Sequence, residues 1–352
     1  MVAGILLGVA AVGAVVLSLY RIGEPIAPEK SDSYYRHAWK NKIVFSPMGN
    51  WFELGYVETT ADPTTFEVLT REYGRDKDFI YWQGHQQPAD RNTFTVDADW
   101  IAKDAAHVYY DPKKFDGRLA VLPGADPATF QRYRVAGMDR SQIWCMDKNH
   151  FYLNHQQVAV DRATFRVLNG TLACDTAALY TVLLTAAGDY EFQSHPRPPG
   201  EIRVLNSVYL QAGSHLVHAS WKEKFALAAF DAVDTLRWIN ELTVVVNERQ
   251  LLYAGRLVPG IDIASASVIA PDFLKDKHHV FFKHQQITGA DPATFEIIFS
   301  DYSRDAHHAF FQHQKLEGVD ARAFTYQFNT GLATDGTRYF KDGKPVQSPA
   351  QN

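Results

Sequence analysis

Short runs of aromatic and β-branched residues alternate with polar stretches along most of the chain. Runs such as "HVFF", His279 to Phe282, are typical of short strands, and the polar residues after them, as in "KHQQ", are typical of turns. Strand alternation places Val280 and Phe282 on one face and His279 and Phe281 on the other. The pattern predicts a mainly β protein built from many short strands.

The N-terminal stretch departs from this pattern. Residues 2–20, "VAGILLGVAAVGAVVLSLY", carry no charge, and their length is close to the roughly 20 apolar residues of a spanning helix. We predict a transmembrane anchor over residues 1–20, followed by a Pro-containing linker over 21–45. A cleaved signal peptide is the alternative, although no basic residue precedes the apolar stretch. Arg21 alone would place the C-terminal side of this segment in the cytoplasm, but a single Arg is weak evidence for membrane orientation.

A second departure lies in the middle of the chain, at about 193–242. It begins with a Pro-rich loop, "QSHPRPPGEIR", Gln193 to Arg203. In the residues after it, Phe225, Ala229, Val233 and Leu236 recur at helical spacing, and Ser220 is a suitable N-cap. We predict an inserted loop and one soluble helix over Trp221–Leu242.

The strand pattern is itself repeated. Clear copies of one unit begin at Asp76, Asp104, Asp147, Asp276 and Asp305, and degenerate copies begin at Asp175, Asn247 and Asp335. The unit returns after about 29 residues, and a second motif, D-P-x-T-F, lies at Asp62, Asp126 and Asp291. Asp and Pro there favour a turn, so each unit is interpreted as a β-hairpin plus a corner. One hairpin is only marginally stable in water, so we expect the units to stack, in an open solenoid or a closed propeller, over residues 46–352.

The repeats resemble those of the DKNYY family, whose name the residues Asp147, Lys148 and Asn149 match directly in "DKNHFYLNHQQVAVDRATF". The resemblance runs from about Asn50 to the end of the chain. It implies a bacterial protein, anchored or exported, and it implies no biochemical activity. The sequence departs from the family where His150 and its equivalents replace an aromatic or polar residue.

Composition excludes one class of partner. The formal net charge is −5 and no run rich in Lys and Arg occurs, so nucleic acid is not expected to bind. The chain also lacks the sequence motifs of serine hydrolases, zinc peptidases and P-loop nucleotide-binding proteins. The recurring Asp residues return in nearly every copy, whereas an active site needs one unique constellation. We therefore predict structural Asp residues, no catalytic residues and no cofactor.

The 14 His residues raise the question of a metal. If the units stack in register, His279 and His308 would be cross-strand neighbours, and so would His284 and His313 in the turns. Two imidazoles on adjacent strands can bind Zn²⁺ or Cu²⁺. No Cys or carboxylate stands at ligand spacing, so we predict no metal site.

The two cysteines occupy nearly equivalent positions in consecutive units. Cys145 lies two residues before Asp147, and Cys174 lies one residue before Asp175. Stacked units would bring them close enough for a disulfide in an oxidising compartment. We predict that bond, with two small buried thiols as the alternative.

Three functions remain open at this point. The first is a single-pass protein of the bacterial inner membrane with a periplasmic repeat domain that binds a protein partner, for example as an immunity protein against a secreted antibacterial toxin or effector. The second is a glycan- or cell-wall-binding module, which would need an aromatic-lined groove. The third is an enzyme of unrecognised type with its site in 193–242. A clustered patch of exposed apolar residues would favour the first.

Overall fold

The computed structural model describes residues 22–113, 116–135, 143–185, 187–220 and 223–349. The chain divides into two compact units, with the boundary between Arg162 and Ala163. Its strands form ten four-stranded antiparallel sheets, and each sheet consists of four strands that follow one another in sequence. The predicted β fold and the predicted repetition are both confirmed.

The first unit contains sheets 1 to 4. Sheet 1 consists of β1 (Gly23–Pro25), β2 (Tyr34–His37), β3 (Ile43–Phe45) and β4 (Val57–Glu58). Sheet 2 consists of β5 (Glu67–Val68), β6 (Tyr73–Arg75), β7 (Ile80–Trp82) and β8 (His85–Gln87). Sheet 3 consists of β9 (Thr95–Val96), β10 (Ala102–Lys103), β11 (Val108–Tyr110) and β12 (Ala120–Val121). Sheet 4 consists of β13 (Gln131–Arg132), β14 (Trp144–Met146), β15 (Phe151–Leu153) and β16 (Gln156–Val158).

The second unit contains sheets 5 to 10. Sheet 5 consists of β17 (Arg166–Val167), β18 (Leu172–Cys174), β19 (Ala178–Leu184) and β20 (Tyr190–Pro196). Sheet 6 consists of β21 (Ile202–Val204), β22 (Tyr209–Ala212), β23 (His215–His218) and β24 (Ala226–Ala229). Sheet 7 consists of β25 (Leu236–Trp238), β26 (Thr243–Val246), β27 (Gln250–Tyr253) and β28 (Arg256–Leu257). Sheet 8 consists of β29 (Ser267–Ala270), β30 (Phe273–Lys275), β31 (Val280–Phe282) and β32 (Gln285–Gln286). Sheet 9 consists of β33 (Glu296–Phe299), β34 (Tyr302–Arg304), β35 (Ala309–Phe311) and β36 (Gln314–Leu316). Sheet 10 consists of β37 (Thr325–Gln327), β38 (Leu332–Thr334), β39 (Tyr339–Lys341) and β40 (Lys344–Val346).

Within each unit the core lies between consecutive sheets. In β31, Phe281 joins the apolar cluster that sheet 8 shares with sheet 7. Its neighbours Val280 and Phe282 join the cluster that sheet 8 shares with sheet 9. All three residues are buried because alternate side chains are covered by different neighbouring sheets. A strand of three residues is thus buried on both faces, which no sheet of this size could achieve alone.

The repeat unit is larger than the predicted hairpin and corner. The run after the motif Asp and the brief strand that follows form the third and fourth strands of each sheet, as β7 and β8 do after Asp76. Two further strands precede the Asp and pair with them in a continuous meander. These strands are as short as Glu67–Val68, too short for an alternating pattern to show in the sequence.

The predicted helix over Trp221–Leu242 is wrong. The described residues of this segment form β24 and β25, in two different sheets. Alanine and leucine favour helix in isolation, but β24 pairs along its whole length with β23, and β25 pairs with the valine run of β26. Ser220 accepts a hydrogen bond from the Glu223 N–H at 3.0 Å, which closes a turn instead of capping a helix.

The predicted linker over 21–45 is also wrong, since residues from Gly23 onward already form sheet 1. Tyr34 and Ile43, within the supposed linker, are fully buried. Pro25 is compatible with this sheet because β1 is an edge strand, where a missing N–H donor is tolerated. The repeat domain therefore begins about twenty residues before the predicted boundary at 46.

The predicted anchor, residues 1–20, lies outside the described residues. In the part of the chain that the structure describes, no helix is long and apolar enough to cross a membrane. The helices there are a 3₁₀ turn, Pro47–Gly49, and a short α-helix, Trp51–Leu54, which Asn50 caps.

Candidate functional site

The recurrent Asp is buried and fully engaged as a hydrogen-bond acceptor. In Asp76, Oδ1 accepts from the N–H groups of Asp78 and Phe79 at 2.8 and 2.7 Å. Oδ2 accepts from the Asp62 N–H at 2.9 Å and from the Tyr81 hydroxyl at 3.0 Å. The carboxylate thus closes its own turn, joins the D-P-x-T-F corner to the same sheet and holds the aromatic ring of the next strand.

Other copies of the motif repeat this arrangement. The turn N–H groups two and three residues ahead donate to the carboxylate at Asp104, Asp147, Asp175, Asp276, Asp305 and Asp335. In the degenerate copy, Asn247 accepts from the N–H groups of Asp234 and Thr235 at 2.9 and 3.1 Å. These side chains accept hydrogen bonds from the turns and corners of their own sheets, which is a structural role.

Electrostatics agree with this role. Burial acts most strongly on the Asp147 carboxyl and would raise its pKa, but the backbone N–H donors of Asp126, Asn149 and His150 and the Tyr152 hydroxyl outweigh it and lower the pKa. The same balance lowers the pKa of Asp335 to about 2. A carboxylate held ionised by donors from its own turn is a structural anion.

The lysine of the motif also has a structural partner. Lys148 lies 2.7 Å from the Asp126 carboxylate, and Lys277 lies 2.9 Å from that of Asp262. In both copies the pair links the start of the turn to the Asp of the corner that precedes it. The lysines are largely exposed, so these ion pairs contribute little stability, about 0–1 kcal/mol each.

The predicted pairing of His279 and His308 across neighbouring strands is wrong. The strands that follow them, β31 and β35, belong to different sheets, and each pairs only within its own sheet. Each imidazole instead faces the Asp of its own turn, with Nδ1 at 3.6 Å from Asp276 Oδ2 in one case and 3.7 Å from Asp305 Oδ1 in the other. Among the described residues, no group of three or more His, Cys, Asp or Glu side chains is placed to hold a metal ion.

The second predicted pair of histidines, His284 and His313, lies in two turns. His284 and His313 follow equivalent strands in sheets 8 and 9. Burial lowers the pKa of His284, and the nearby charges of Arg256, Lys283 and His313 lower it further, while Glu223 opposes them. The positive charges of Arg256 and Lys283 near His284 disfavour a bound cation.

Cys145 and Cys174 are free, buried thiols in the structure, so the predicted disulfide is not formed there. Cys145 belongs to the cluster between sheets 3 and 4, and Cys174 belongs to the cluster between sheets 5 and 6. Burial raises the pKa of the Cys145 thiol to about 11. A thiol of this kind is a small core residue and a poor nucleophile.

The region predicted to hold an active site under the enzyme hypothesis lines an open cleft of about 560 Å³. One side consists of β24 and its flanking residues Phe225 and Phe230, and Arg256, Leu257 and His284 lie on the other. No Ser, Thr or Cys is among the described residues that line it. Among the described lining residues, an apolar wall on β24 thus faces a wall that carries Arg256 and His284.

Exposed apolar side chains concentrate in two places that sequence reasoning missed. The C-terminal aromatic patch consists of the exposed Phe299 and Phe328 and the partly buried Tyr326, and it lies on sheets 9 and 10. Phe299 stacks on Tyr326 with ring centroids 4.1 Å apart, and Phe328 packs edge-on against both, at 5.1 and 5.3 Å. The N-terminal patch consists of Trp39, Met48, Phe52, Leu54 and Tyr56, around sheet 1.

A β-bulge helps to create the C-terminal aromatic patch. The pairing of β33 with β34 shifts register between Ile297 and Phe299. A regular strand would give these two residues the same face, and the bulge breaks that alternation. Arg304 reinforces the site, because its guanidinium donates to the backbone oxygens of Ala321 and Phe324 at 3.2 and 2.9 Å and thereby ties β34 to the chain that enters β37.

The sequence profile of the DKNYY family matches residues 119–347. This range holds the best copy of the motif, at Asp147, and extends through sheet 10. None of the curated proteins matches the chain.

Proposed function

We propose that this chain, which belongs to the DKNYY family, functions through the exposed surface of its repeated sheets, because the residues of the family motif hold those sheets together. The proposed function is non-catalytic binding of a protein partner by a membrane-anchored envelope protein. The C-terminal aromatic patch carries this proposal, since Phe328 remains 77% exposed while it contacts two other aromatic rings.

The patch has the character of a binding hot spot. Aromatic side chains supply large apolar area at low conformational cost and are enriched where interfaces bury their centre. The three rings contact one another, so they are already ordered before a partner arrives, and less entropy is lost on binding.

The arrangement of the rings favours protein over glycan. Phe299 and Tyr326 are nearly parallel, with an interplanar angle of 23°, but Phe328 stands at 78° and 79° to them. A sugar ring stacks on one flat aromatic face. Two nearly parallel rings with a third at a steep angle to them form a protrusion, which suits an apolar pocket of a protein. The glycan-binding alternative therefore has less support.

One concrete form of the proposal is an immunity protein. The predicted anchor would place the chain in the bacterial inner membrane as a single-pass protein with the repeat domain in the periplasm. The repeat domain would then be placed to bind a toxin or effector that enters the periplasm. The absence of catalytic motifs from the sequence suits a protein that acts by binding alone.

Photocrosslinking in cells tests the proposal. A photoreactive phenylalanine such as p-benzoylphenylalanine replaces Phe328, and the matched control replaces Leu184, an apolar residue of the same unit that is 47% exposed. We expect one discrete protein adduct from position 328 and none from position 184. Equal labelling at both positions, or no protein adduct at position 328, would refute binding through this patch.

A further inference from the structure

The N-terminal patch lies where the chain leaves its apolar N-terminal stretch. The Ile22 carbonyl accepts a hydrogen bond from the Ala38 N–H at 3.1 Å, and Gly23 pairs with His37. Trp39 follows directly, and it is 62% exposed. The loop that carries Trp39 is thus fixed beside the first described residue of the chain.

Contacts within sheet 1 connect Trp39 to the rest of the patch. The His37 ring contacts the Trp39 ring at 6.0 Å and the Tyr56 ring at 6.3 Å, so it bridges the two loops on which they lie. The loop of Tyr56 also carries Phe52 and Leu54, both exposed, on the short helix and at its end. The exposed apolar residues of the patch therefore lie on two loops of one sheet, and His37 joins Trp39 to Tyr56 across them.

Chain length limits how far this surface can lie from a membrane. Only Arg21 and Ile22 separate residue 20 from Gly23 in sheet 1. An extended chain spans at most about 3.5 Å per residue, so this connection reaches roughly 10 Å. If residues 1–20 span the bilayer, sheet 1 is held at the level of the headgroups.

The side chains suit that position. Tryptophan and tyrosine are enriched at the membrane–water interface, and lysine extends to headgroup phosphates. Lys40 and Lys42 follow Trp39 in the same loop and both pair with Glu58, and Glu53 on the short helix balances the second positive charge. Aromatic rings beside lysine side chains are the combination that the membrane–water interface favours.

We propose that the N-terminal patch docks into the interfacial layer of the bilayer and holds the repeat domain against the membrane. The inference rests on the proposed membrane anchorage and adds a second, shallow contact to it. The rings of Trp39 and Tyr56 insert at the glycerol level, and Lys40 and Lys42 remain among the phosphates. A second copy of the chain, residues 1–21 or a protein partner could cover the patch instead, and the test separates these occupants.

The test uses the full-length chain in nanodiscs of phosphatidylcholine and phosphatidylglycerol, with acyl chains brominated near the glycerol backbone. Bromine quenches tryptophan fluorescence only at short range. We expect Trp39→Phe to remove part of the quenched emission. The matched control, Trp100→Phe, removes a tryptophan of the same unit that is 64% exposed outside the patch, and quenching should not change.

The outcomes distinguish the two proposals. Full-length protein that floats with the discs and resists extraction at alkaline pH, but whose bromine quenching is unaffected by Trp39→Phe, overturns interfacial docking and leaves the anchor standing. Protein that alkali releases from the discs overturns the anchor and the inference together. Trp39 emission that is shielded from aqueous acrylamide and yet insensitive to brominated lipid shows that protein covers the patch, and this also overturns the inference.

Discussion

Replacing Asp147 with Asn tests whether the family motif is a structural device. Asp147 is 1% exposed and accepts four hydrogen bonds, from the N–H groups of Asn149, His150 and Asp126 and from the Tyr152 hydroxyl. An Asn side chain has one acceptor oxygen, which can keep the two turn bonds. The NH₂ group of the Asn side chain then faces the Asp126 N–H. Both groups are donors, so the Asp126 N–H is left without an acceptor.

The magnitude follows from this loss. One buried N–H left without an acceptor costs about 1–3 kcal/mol, and the bonds that remain lose the strength that a charged acceptor gives. We expect the free energy of local opening around Asp147 to fall by about 2–4 kcal/mol, which corresponds to roughly a 30- to 700-fold faster amide exchange.

Hydrogen exchange followed by mass spectrometry measures this locally, in peptides that span β14 and β15. The control is Asp78→Asn, which changes an exposed carboxylate within the equivalent turn of sheet 2 and keeps its backbone N–H bond to Asp76. It should leave exchange in both sheets unchanged within about 0.5 kcal/mol. An Asp147→Asn protein that exchanges like wild type would refute the structural role of the motif Asp.

Three further predictions follow from buried groups. Tyr152→Phe should cost less than Asp147→Asn, about 1–2 kcal/mol by the same exchange measurement, because it removes one hydrogen bond and Phe281 fills the equivalent site in sheet 8. His218 is fully buried with both ring nitrogens unpartnered, and burial, helped by Arg256, lowers its pKa to about 4. The unfolded chain therefore binds the extra proton, so the free energy of unfolding should fall by about 3 kcal/mol between pH 6.5 and pH 4, and urea titrations of His218→Phe should lack this part of the acid dependence. Cys145 should resist alkylation at pH 8 in the native protein and react after unfolding in urea, and rapid labelling of the native thiol would contradict its placement in the core.

The repeated parts of the fold are the ones that the sequence predicts well. Each copy of the unit forms the same turn and strand. The turn at Asp76 and the strand after it can therefore be inferred from the copies at Asp147 and Asp305. The degenerate copy at Asn247 is recognisable for the same reason, since Asn keeps one acceptor oxygen for the corner.

The errors arise where tertiary pairing decides the structure. The Ala- and Leu-rich stretch of β24 has helical periodicity, and only its partner β23, with His218 opposite Ala226, makes it a strand. The predicted pairing of His279 with His308 requires units that join edge to edge through strand hydrogen bonds. They pack through their faces instead, as the apolar cluster of Phe282 and Phe310 between sheets 8 and 9 shows.

The exposed patches could not be predicted because alternation within a strand does not reveal which face is covered. Tyr326 and Phe328 follow the same apolar pattern as core residues elsewhere in the array. Tyr326 nevertheless packs against the core that sheets 9 and 10 share, while Phe328 is exposed, and Phe299 is exposed beside the bulge of β33. Such features appear only once the sheets are assembled.

The affinity of the crosslinked partner for two variants tests the central claim most directly, namely that binding resides in the C-terminal aromatic patch and not in the repeated motif. Isothermal titration calorimetry compares wild type with Phe328→Ala and with the exposed-residue control Leu184→Ala. Truncating a hot-spot aromatic costs about 2 kcal/mol or more, so Kd should rise about 30-fold or more for Phe328→Ala. Leu184→Ala should bind like wild type. An unchanged Kd for Phe328→Ala would contradict the account.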